Sequence, residues 1–268
     1  AKTLVITAKD KICLNEEVKC NPRDCSYAKG HYDRVNAGIM DIFQNEDMIT
    51  RDIIIKYAEK HQVCPFEFSL DISLWADVII CDYNYVFDPQ VYLKRFFEGA
   101  AEDYVFLIDE AHNLVDRSRD MFSATINKAD FLDLRDIFKN KYPKIYKGLN
   151  KINRIINEKL KELEVLDNYY QQEEIEELYY PIRNLISSME PWLIEEKEDG
   201  SYEEVIDFYF SILSFMKIWE FYDEHYVTSI EKDGRDVFIR LYCVDSSYLL
   251  QMAEERAKSS IFFSATLT

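Results

Sequence analysis

Three groups of residues in this 268-residue chain have the types and spacing to do chemistry. The first is Asp109-Glu110-Ala111-His112, which directly follows the apolar run Tyr104-Val105-Phe106-Leu107-Ile108. Carboxylates at the C-terminal end of such a run stand where open α/β sheets place their ligands. In folds that hydrolyse nucleotides, a strand-end Asp holds Mg2+ and an adjacent residue orients the attacking water. Asp109 and Glu110 are candidates for those two roles, and His112 can couple a nucleotide site to neighbouring elements. Taken alone the tetrad also reads as an exposed acidic turn; its strand context favours the nucleotide site. The second group is Ser264-Ala265-Thr266, which follows Ser260-Ile261-Phe262-Phe263. Two hydroxyls flanking a small residue can hydrogen-bond to strand-end carboxylates of a neighbouring strand. Polar turns after strands are common, so this triplet draws its weight from the acidic tetrad about 155 residues earlier. The third group is Cys13, Cys20, Cys25 and Cys64. Four thiolates can ligate tetrahedral Zn2+ or a [4Fe-4S] cluster. Zinc sites usually use tight paired knuckles, and no Cys-x-x-Cys occurs here. The wide, irregular gaps tilt the choice toward an iron–sulfur cluster, although spacing alone leaves both open. Small buried hydrophobes are the bland alternative, which three Cys within thirteen polar, turn-rich residues fit poorly. Cys81 and Cys243 lie inside apolar runs and read as core.

The elements that must position these groups alternate between strands and helices. Residues 3–8 read as a short strand. The turn chemistry of Asn21-Pro22 and Gly30 marks a loop-rich stretch. Tyr32 to Ile42, Thr50 to Lys60 (Thr50 as N-cap) and Phe66 to Leu74 read as helices. Asp77 to Cys81 and Tyr104 to Ile108 are short apolar runs of the kind that parallel sheets bury. Asp88-Pro89 predicts a helix start. From 119 to 224 the pattern is almost entirely helical. Leu149, Ile152, Ile155, Ile156, Leu160 and Leu163 form one apolar stripe; Ile175, Leu178, Ile182, Leu185, Ile186 and Met189 form another. Ser201 with Glu204 predicts a capping box ahead of a helix over Val205 to Tyr222. Asp233-Gly234 between two alternating runs, Tyr226 to Ile230 and Val237 to Val244, predicts a hairpin. A short helix over Ser247 to Ala257 and a last buried strand at 260–263 follow. The fold class is α/β with a partial parallel sheet, a small Cys-rich domain and a mainly helical insertion.

Composition bounds the function. The chain is 48% hydrophobic with only 6 Gly and 6 Pro, which excludes wholesale disorder and collagen-like character. No apolar run approaches the roughly 20 residues of a bilayer span, so no membrane partner is expected, and no export signal is present. A start at Ala1, without Met and inside an apparent strand, suggests a piece of a longer protein. Clustered Cys without an export signal point to a reducing compartment, cytoplasmic (nucleoid-associated if prokaryotic), and to metal rather than disulfides. The net charge of −18 argues against a general polyanion-binding surface. Residues 1–64 are neutral, with ten basic and ten acidic groups, and are the expected place for a local basic groove.

Together these residues resemble the XPD/DinG family of iron–sulfur, superfamily 2 DNA helicases. Asp109–His112 with Asn113-Leu114 looks like the family's motif II, a DEAH box, and Ser264-Ala265-Thr266-Leu267-Thr268 like motif III. Cys64-Pro65 followed by an aromatic, Asp82-Tyr83-Asn84-Tyr85-Val86-Phe87-Asp88-Pro89, and Cys243-Val244-Asp245-Ser246-Ser247 also fit the family pattern. The resemblance covers nearly the whole chain. It implies a RecA-like motor domain 1 in three parts (1–12, 65–118 with the DEAH box, 225–268 with motif III), an iron–sulfur domain (13–64) and a helical Arch domain (119–224). It implies a [4Fe-4S] cluster on Cys13, Cys20, Cys25 and Cys64, and Mg2+ (at Asp109) with ATP in the full-length protein. Asp109, Glu110, His112, Ser264 and Thr266 would serve hydrolysis. Single-stranded DNA and duplex junctions would be the partners, unwound 5′→3′ by a cluster-domain wedge beneath an Arch collar, in DNA repair or structure resolution.

The residues permit DNA contact. Lys9, Lys11, Lys19, Arg23, Lys29 and Arg34 surround the Cys-rich stretch, and Tyr27 and Tyr32 could stack bases. The matching family position four residues before the first Cys is basic, here Lys9. The cluster's first role would be structural, since about fifty loop-rich residues with few apolar side chains need a staple. A phosphate-binding loop needs Gly followed by Lys, and none of the six Gly is followed by Lys. The second motor domain is also absent, so the chain alone is expected not to hydrolyse ATP. The acidic faces of the helical insert are poor DNA ligands, which suggests protein partners on the Arch. They also support a rival reading, a non-catalytic, zinc-stapled interaction module. A nuclease finds no convergent carboxylate–Lys set.

Overall fold

The computed structural model describes residues 1–18, 20, 23–91, 93, 97, 104–139, 141–164, 167–234 and 236–265. The expected α/β class is observed, and the chain divides into two compact units, 1–86 with 93–100 and 87–92 with 101–268.

The first unit holds a three-stranded parallel sheet. Strand β1 (Thr3–Val5) lies between β2 (Met48–Ile49) and β3 (Val78–Ile80). After α1 (Lys9–Ile12) and the cysteine-bearing turns come α2 (His31–Asn45), α3 (Arg51–His61), α4 (Pro65–Ser73) and the short α5 (Asn84–Phe87). Leu4, Ile12, Ile42, Ile49, Ile54, Phe68 and Ile72 form its core. Helices α2 and α3 therefore hold through their own apolar faces. The loop-rich character expected across 13–64 is confined to the segment before His31. Gly38 is required for close approach: a Cβ there would stand 3.1 Å from the Phe68 ring. Thr50 occupies the N-cap of α3, but its side chain makes no capping bond.

In the second unit, β4 (Val105–Ile108) pairs in parallel with β9 (Ser259–Phe262), from Val105 opposite Ser259 to Ile108 opposite Phe262. Helix α6 (Leu114–Met121) leads into an antiparallel sheet of order β5-β8-β7-β6: β5 (Ala124–Asn127), β8 (Asp236–Cys243), β7 (Tyr226–Asp233) and β6 (Asn168–Gln171). Helices α7 (Lys128–Phe138), α8 (Pro143–Glu162), α9 (Glu176–Glu195) and α10 (Tyr202–Trp219) pack in succession, with α7 and α10 against the sheet. Helix α11 (Ser247–Glu254) leads to β9. Both predicted stripes are seated: Leu149, Ile152 and Ile156 are buried on α8, as are Leu178, Ile182, Leu185 and Met189 on α9. Edge-to-face pairs Phe131–Phe208 and Phe138–Trp192, with centroids 5.0 and 5.3 Å apart, tie the layer together. No helix among the described residues is long and apolar enough to cross a membrane.

Four local expectations are corrected. The apolar runs at 77–81, 104–108 and 260–263 form strands, and β3 and the β4–β9 pair are parallel as expected, but they are not buried on both faces. Successive strand residues point to opposite sides, so Ile79 meets the core while Val78 and Ile80 are exposed. Likewise Val105 and Leu107, on one face of β4, are exposed, and in β9 the adjacent Ile261 and Phe262 are exposed on both faces. The span 119–224 is not almost entirely helical, because it contributes β5 and β6 to the sheet that the hairpin completes. The hairpin forms as expected, with Asp233 opposite Asp236 and Gly234, at φ 58°, the first loop residue. The capping box is not made: the Ser201 hydroxyl donates to Asp199 Oδ1 at 2.6 Å. Asp88-Pro89 lies in a turn, and most of the helix expected after it lies outside the described residues.

Candidate functional sites

Cys13, Cys20, Cys25 and Cys64 line one cavity of about 210 Å3 in the first unit. Cys13 ends α1, with its amide bonded to the Lys9 carbonyl at 3.0 Å. Cys64 is the N-cap of α4 and is held extended by the following Pro65. Burial pushes the Cys64 thiol up from its usual pKa. Asn15 Nδ2 donates to Cys25 Sγ at 3.2 Å. All six cysteines are free thiols.

Sequence reasoning missed His31, which directly precedes Tyr32 and is only 3% exposed. Its Nδ1 accepts the Cys64 backbone N–H at 3.2 Å, and its Nε2 stands 3.2 Å from Asp71 Oδ2. An N–H can only donate, so the proton sits on Nε2 and points at Asp71. A carboxylate thus orients an imidazole, which in turn orients Cys64. A histidine at the start of a helix, six residues after Cys25, was the available signal.

The basic residues expected at DNA fall into three groups. Lys9, Tyr27 and Tyr32 line the cysteine cavity, with Tyr32 exposed at its rim. Burial alone would lower the Lys9 pKa, but its hydrogen bond to Cys20 and the charges of Cys20, Glu67 and Cys64 carry it above the usual lysine value. Its ammonium also lies 5.5 Å from the Phe66 ring centroid. Lys11, Arg23 and Lys29 are exposed. Arg34 is half-buried, and its guanidinium donates to the carbonyls of His61, Gln62 and Lys29, at 3.2, 3.0 and 2.7 Å. Those bonds close the end of α3, where Gln62 adopts a left-handed conformation at φ 53°. Arg34→Ala is expected to destabilise the first unit by about 1–2 kcal/mol, because charged donors are withdrawn from main-chain carbonyls; urea unfolding measures it. Lys19 lies outside the described residues.

The chemistry of four thiols around one cavity suits a polynuclear cluster. A cubane takes one thiolate at each of four irons, so its ligands ring a volume instead of converging on one ion. Among the described residues, no group of three or more His, Cys, Asp or Glu stands close enough to hold a single metal ion.

The second unit carries the other candidate site, at the C-terminal ends of β4 and β9. The ladder continues past both strands: Phe263 N–H bonds the Ile108 carbonyl at 3.0 Å, and Ala111 N–H bonds the Phe263 carbonyl at 3.1 Å. This closure brings Asp109-Glu110-Ala111-His112 beside Ser264. Ser264 Oγ donates to Glu110 Oε2 at 2.9 Å, and His112 Nδ1 lies 2.8 Å from Ser264 Oγ and 3.2 Å from Glu110 Oε2. The serine's only hydrogen goes to Glu110, so Nδ1 carries a proton to meet two acceptors. Asp109 Oδ1 accepts the Glu110 N–H at 2.7 Å. Glu110 has φ 49°, a left-handed conformation that non-glycine residues rarely adopt and that concentrates at functional sites. Glu110 and His112 remain about half exposed, which leaves room for a ligand. The hydrogen bond expected between the two motifs is therefore present for Ser264, whereas Thr266 lies outside the described residues.

Residues 1–131, just under half of the chain, match the DEAD_2 family. A stretch of 83 residues is 28% identical to Fanconi anemia group J protein homolog of Gallus gallus, covering 31% of this chain and 6% of that protein. Over 150 residues the chain is 25% identical to Regulator of telomere elongation helicase 1 homolog of Anopheles gambiae, covering 48% and 14%. Against Regulator of telomere elongation helicase 1 of Homo sapiens it is 25% identical over 124 residues, covering 42% and 10%. The matched stretches are a small part of these relatives. A solved structure described as truncated XPD shares the fold at a TM-score of 0.52 and 16% identity, covering 98% of this chain and 72% of that one. The chain is thus similar to the DEAD_2 family over residues 1–131 and shares its fold with truncated XPD.

Proposed function

We propose that this chain supplies part of the first motor domain, the cluster domain and the Arch of an ATP-dependent 5′→3′ DNA helicase. The helicase relationship rests on the family match and on the named relatives. The observation that carries the catalytic reading is the convergence of Glu110, His112 and Ser264 at the paired ends of two parallel strands. Asp109 would hold Mg2+, and bound Mg2+ supplies neutralisation of the phosphate charge. Glu110 would orient and polarise the attacking water. Ser264 fixes the Glu110 carboxylate, and His112 would pass the state of the site to the β9 turn; Thr266 would join Ser264. This chain lacks the Gly-Lys pair of a phosphate loop, so alone it would not turn over ATP.

Cys13, Cys20, Cys25 and Cys64 would hold a [4Fe-4S] cluster, which when bound cross-links the turns before His31 to α4. Lys9, Lys11, Lys19, Arg23, Tyr27, Lys29 and Tyr32 are the proposed DNA contacts around it, while Arg34 acts through the backbone carbonyls that it holds. The proposed partition is 1–12, 65–118 and 225–268 for the motor, 13–64 for the cluster domain and 119–224 for the Arch. Metal analysis of protein prepared without oxygen tests the reading. About four irons with labile sulfide per chain are expected. One zinc and no sulfide would instead support the zinc-stapled interaction module.

A further inference from the structure

Helix α8 carries a surface that no motif pointed to. Lys144, Lys147, Lys151, Arg154 and Lys161 are all exposed. Their spacings of three, four, three and seven residues place them within one arc of the helix, about 100° wide and about 25 Å long. Ile145, Leu149, Ile152 and Ile156 are buried on the inward side. Glu158 shares the outer arc and pairs with Arg154 at 3.7 Å. Among the described residues, the four lysines form no ion pair or hydrogen bond through their side chains.

This arrangement stands out against the rest of the molecule. The chain has 50 acidic residues against 32 basic. The neighbouring helices turn Glu176, Glu190 and Glu195 (α9) and Glu203, Glu204 and Asp207 (α10) to solvent. Exposed cations are concentrated on α8, which also exposes Glu158 and Glu162, and exposed anions predominate on the next two helices, where Arg183 is an exposed cation. Like charges three or four residues apart repel and weaken a helix. The lysine side chains add no contact that would offset this.

We propose that the outer face of α8 binds the phosphate backbone of a single-stranded nucleic acid. A row of cations at about 4.5 and 6 Å intervals along a helix axis suits a polymer with one charge per repeat. None of the large apolar side chains exposed on this chain lies on α8. A protein partner would be expected to need such an apolar centre, since interface cores favour aromatics and exclude Lys. Lysines act as point charges with little geometric demand, so the contact is independent of base sequence. The insert is therefore not acidic throughout, as its composition suggested. The choice of polymer rests on the helicase reading; the existence of the cationic face does not.

The test is fluorescence anisotropy of the full chain with labelled oligo(dT), titrated from about 50 to 200 mM salt. For K144A/K147A/K151A, the slope of log affinity against log salt should become shallower by about 2, with a loss of tenfold or more at the lowest salt. K144R/K147R/K151R should restore binding, and circular dichroism should show both variants folded. Should the alanine triple alter the fold, Lys147→Glu gives the same readout at one position. An unchanged slope, or preferential binding of a poly-glutamate peptide, overturns the proposal. A chain that binds oligo(dT) with an unchanged slope in the variant defeats the α8 surface alone. A wild-type chain that does not bind oligo(dT) at all defeats both the surface and the DNA-binding part of the proposed function.

Discussion

Cys64→Ser, prepared without oxygen, is expected to retain almost no iron and to be cut by protease within residues 13–30, while 143–219 remain protected. Serine keeps the volume of the side chain but removes the thiolate that a cluster needs. The turns before His31 bury little: Cys25 is the one apolar residue among 13–30 that the described structure seals from solvent. Their order would then depend on the inorganic cross-link. The damage should stop at α2, because Val35, Ile42, Ile54 and Tyr57 of α2 and α3 sit in a core that does not involve the cysteines. This is a narrower prediction than a loop-rich 13–64 would suggest. Limited proteolysis read by mass spectrometry, beside iron analysis, measures it. Iron retained at the wild-type level would show that Cys64 is no ligand, and equal cleavage of both regions would show that no local staple exists.

Glu110→Gln is expected to lower DNA-stimulated ATP turnover by about 10²–10⁴-fold in a protein where this chain is joined to a phosphate-binding loop and a second motor domain. Glutamine is nearly isosteric and can still accept from Ser264, so positioning of the motif should survive while the charge that polarises water is lost. Ser264→Ala should act more mildly, by loosening the carboxylate. The chain by itself should show no turnover above that of Asp109→Ala. A phosphate-release assay decides both points. Turnover by the isolated chain that Asp109→Ala abolishes would overturn the claim that a phosphate loop is indispensable here.

The electrostatic layout explains why the cationic face of α8 escaped notice along the sequence. Summed over 119–230, acidic groups outnumber basic ones by 23 to 14, and the segment reads as unfavourable to DNA. Sums hide sorting. Folding turns α8 outward on the side of Lys144, Lys147 and Lys151, with Glu158 and Glu162 as that helix's acidic residues, and most of the acidic residues of 119–230 lie elsewhere. Conversely Arg34, a candidate DNA contact because it follows the cysteines, is held by three carbonyls around the end of α3. Charge alone does not say whether a guanidinium faces solvent or backbone.

The features legible along the chain are local. The strand-end tetrad, the hydroxyl triplet, the cysteine quartet and the apolar stripes of α8 and α9 are legible because periodicity and motif spacing act over a few residues. Tertiary structure alone decided what is brought together across the chain. The pairing of β4 with β9 sets Ser264 against Glu110 from 154 residues away. The fold of α2 against α4 places His31 between Asp71 and the amide of Cys64. A helical reading of 119–224 misses strands β5 and β6 because each is four residues long and acquires its partners only when the 226–243 hairpin is in place. Hydrogen bonds between strands are satisfied by residues distant in sequence, so no local pattern has to announce them.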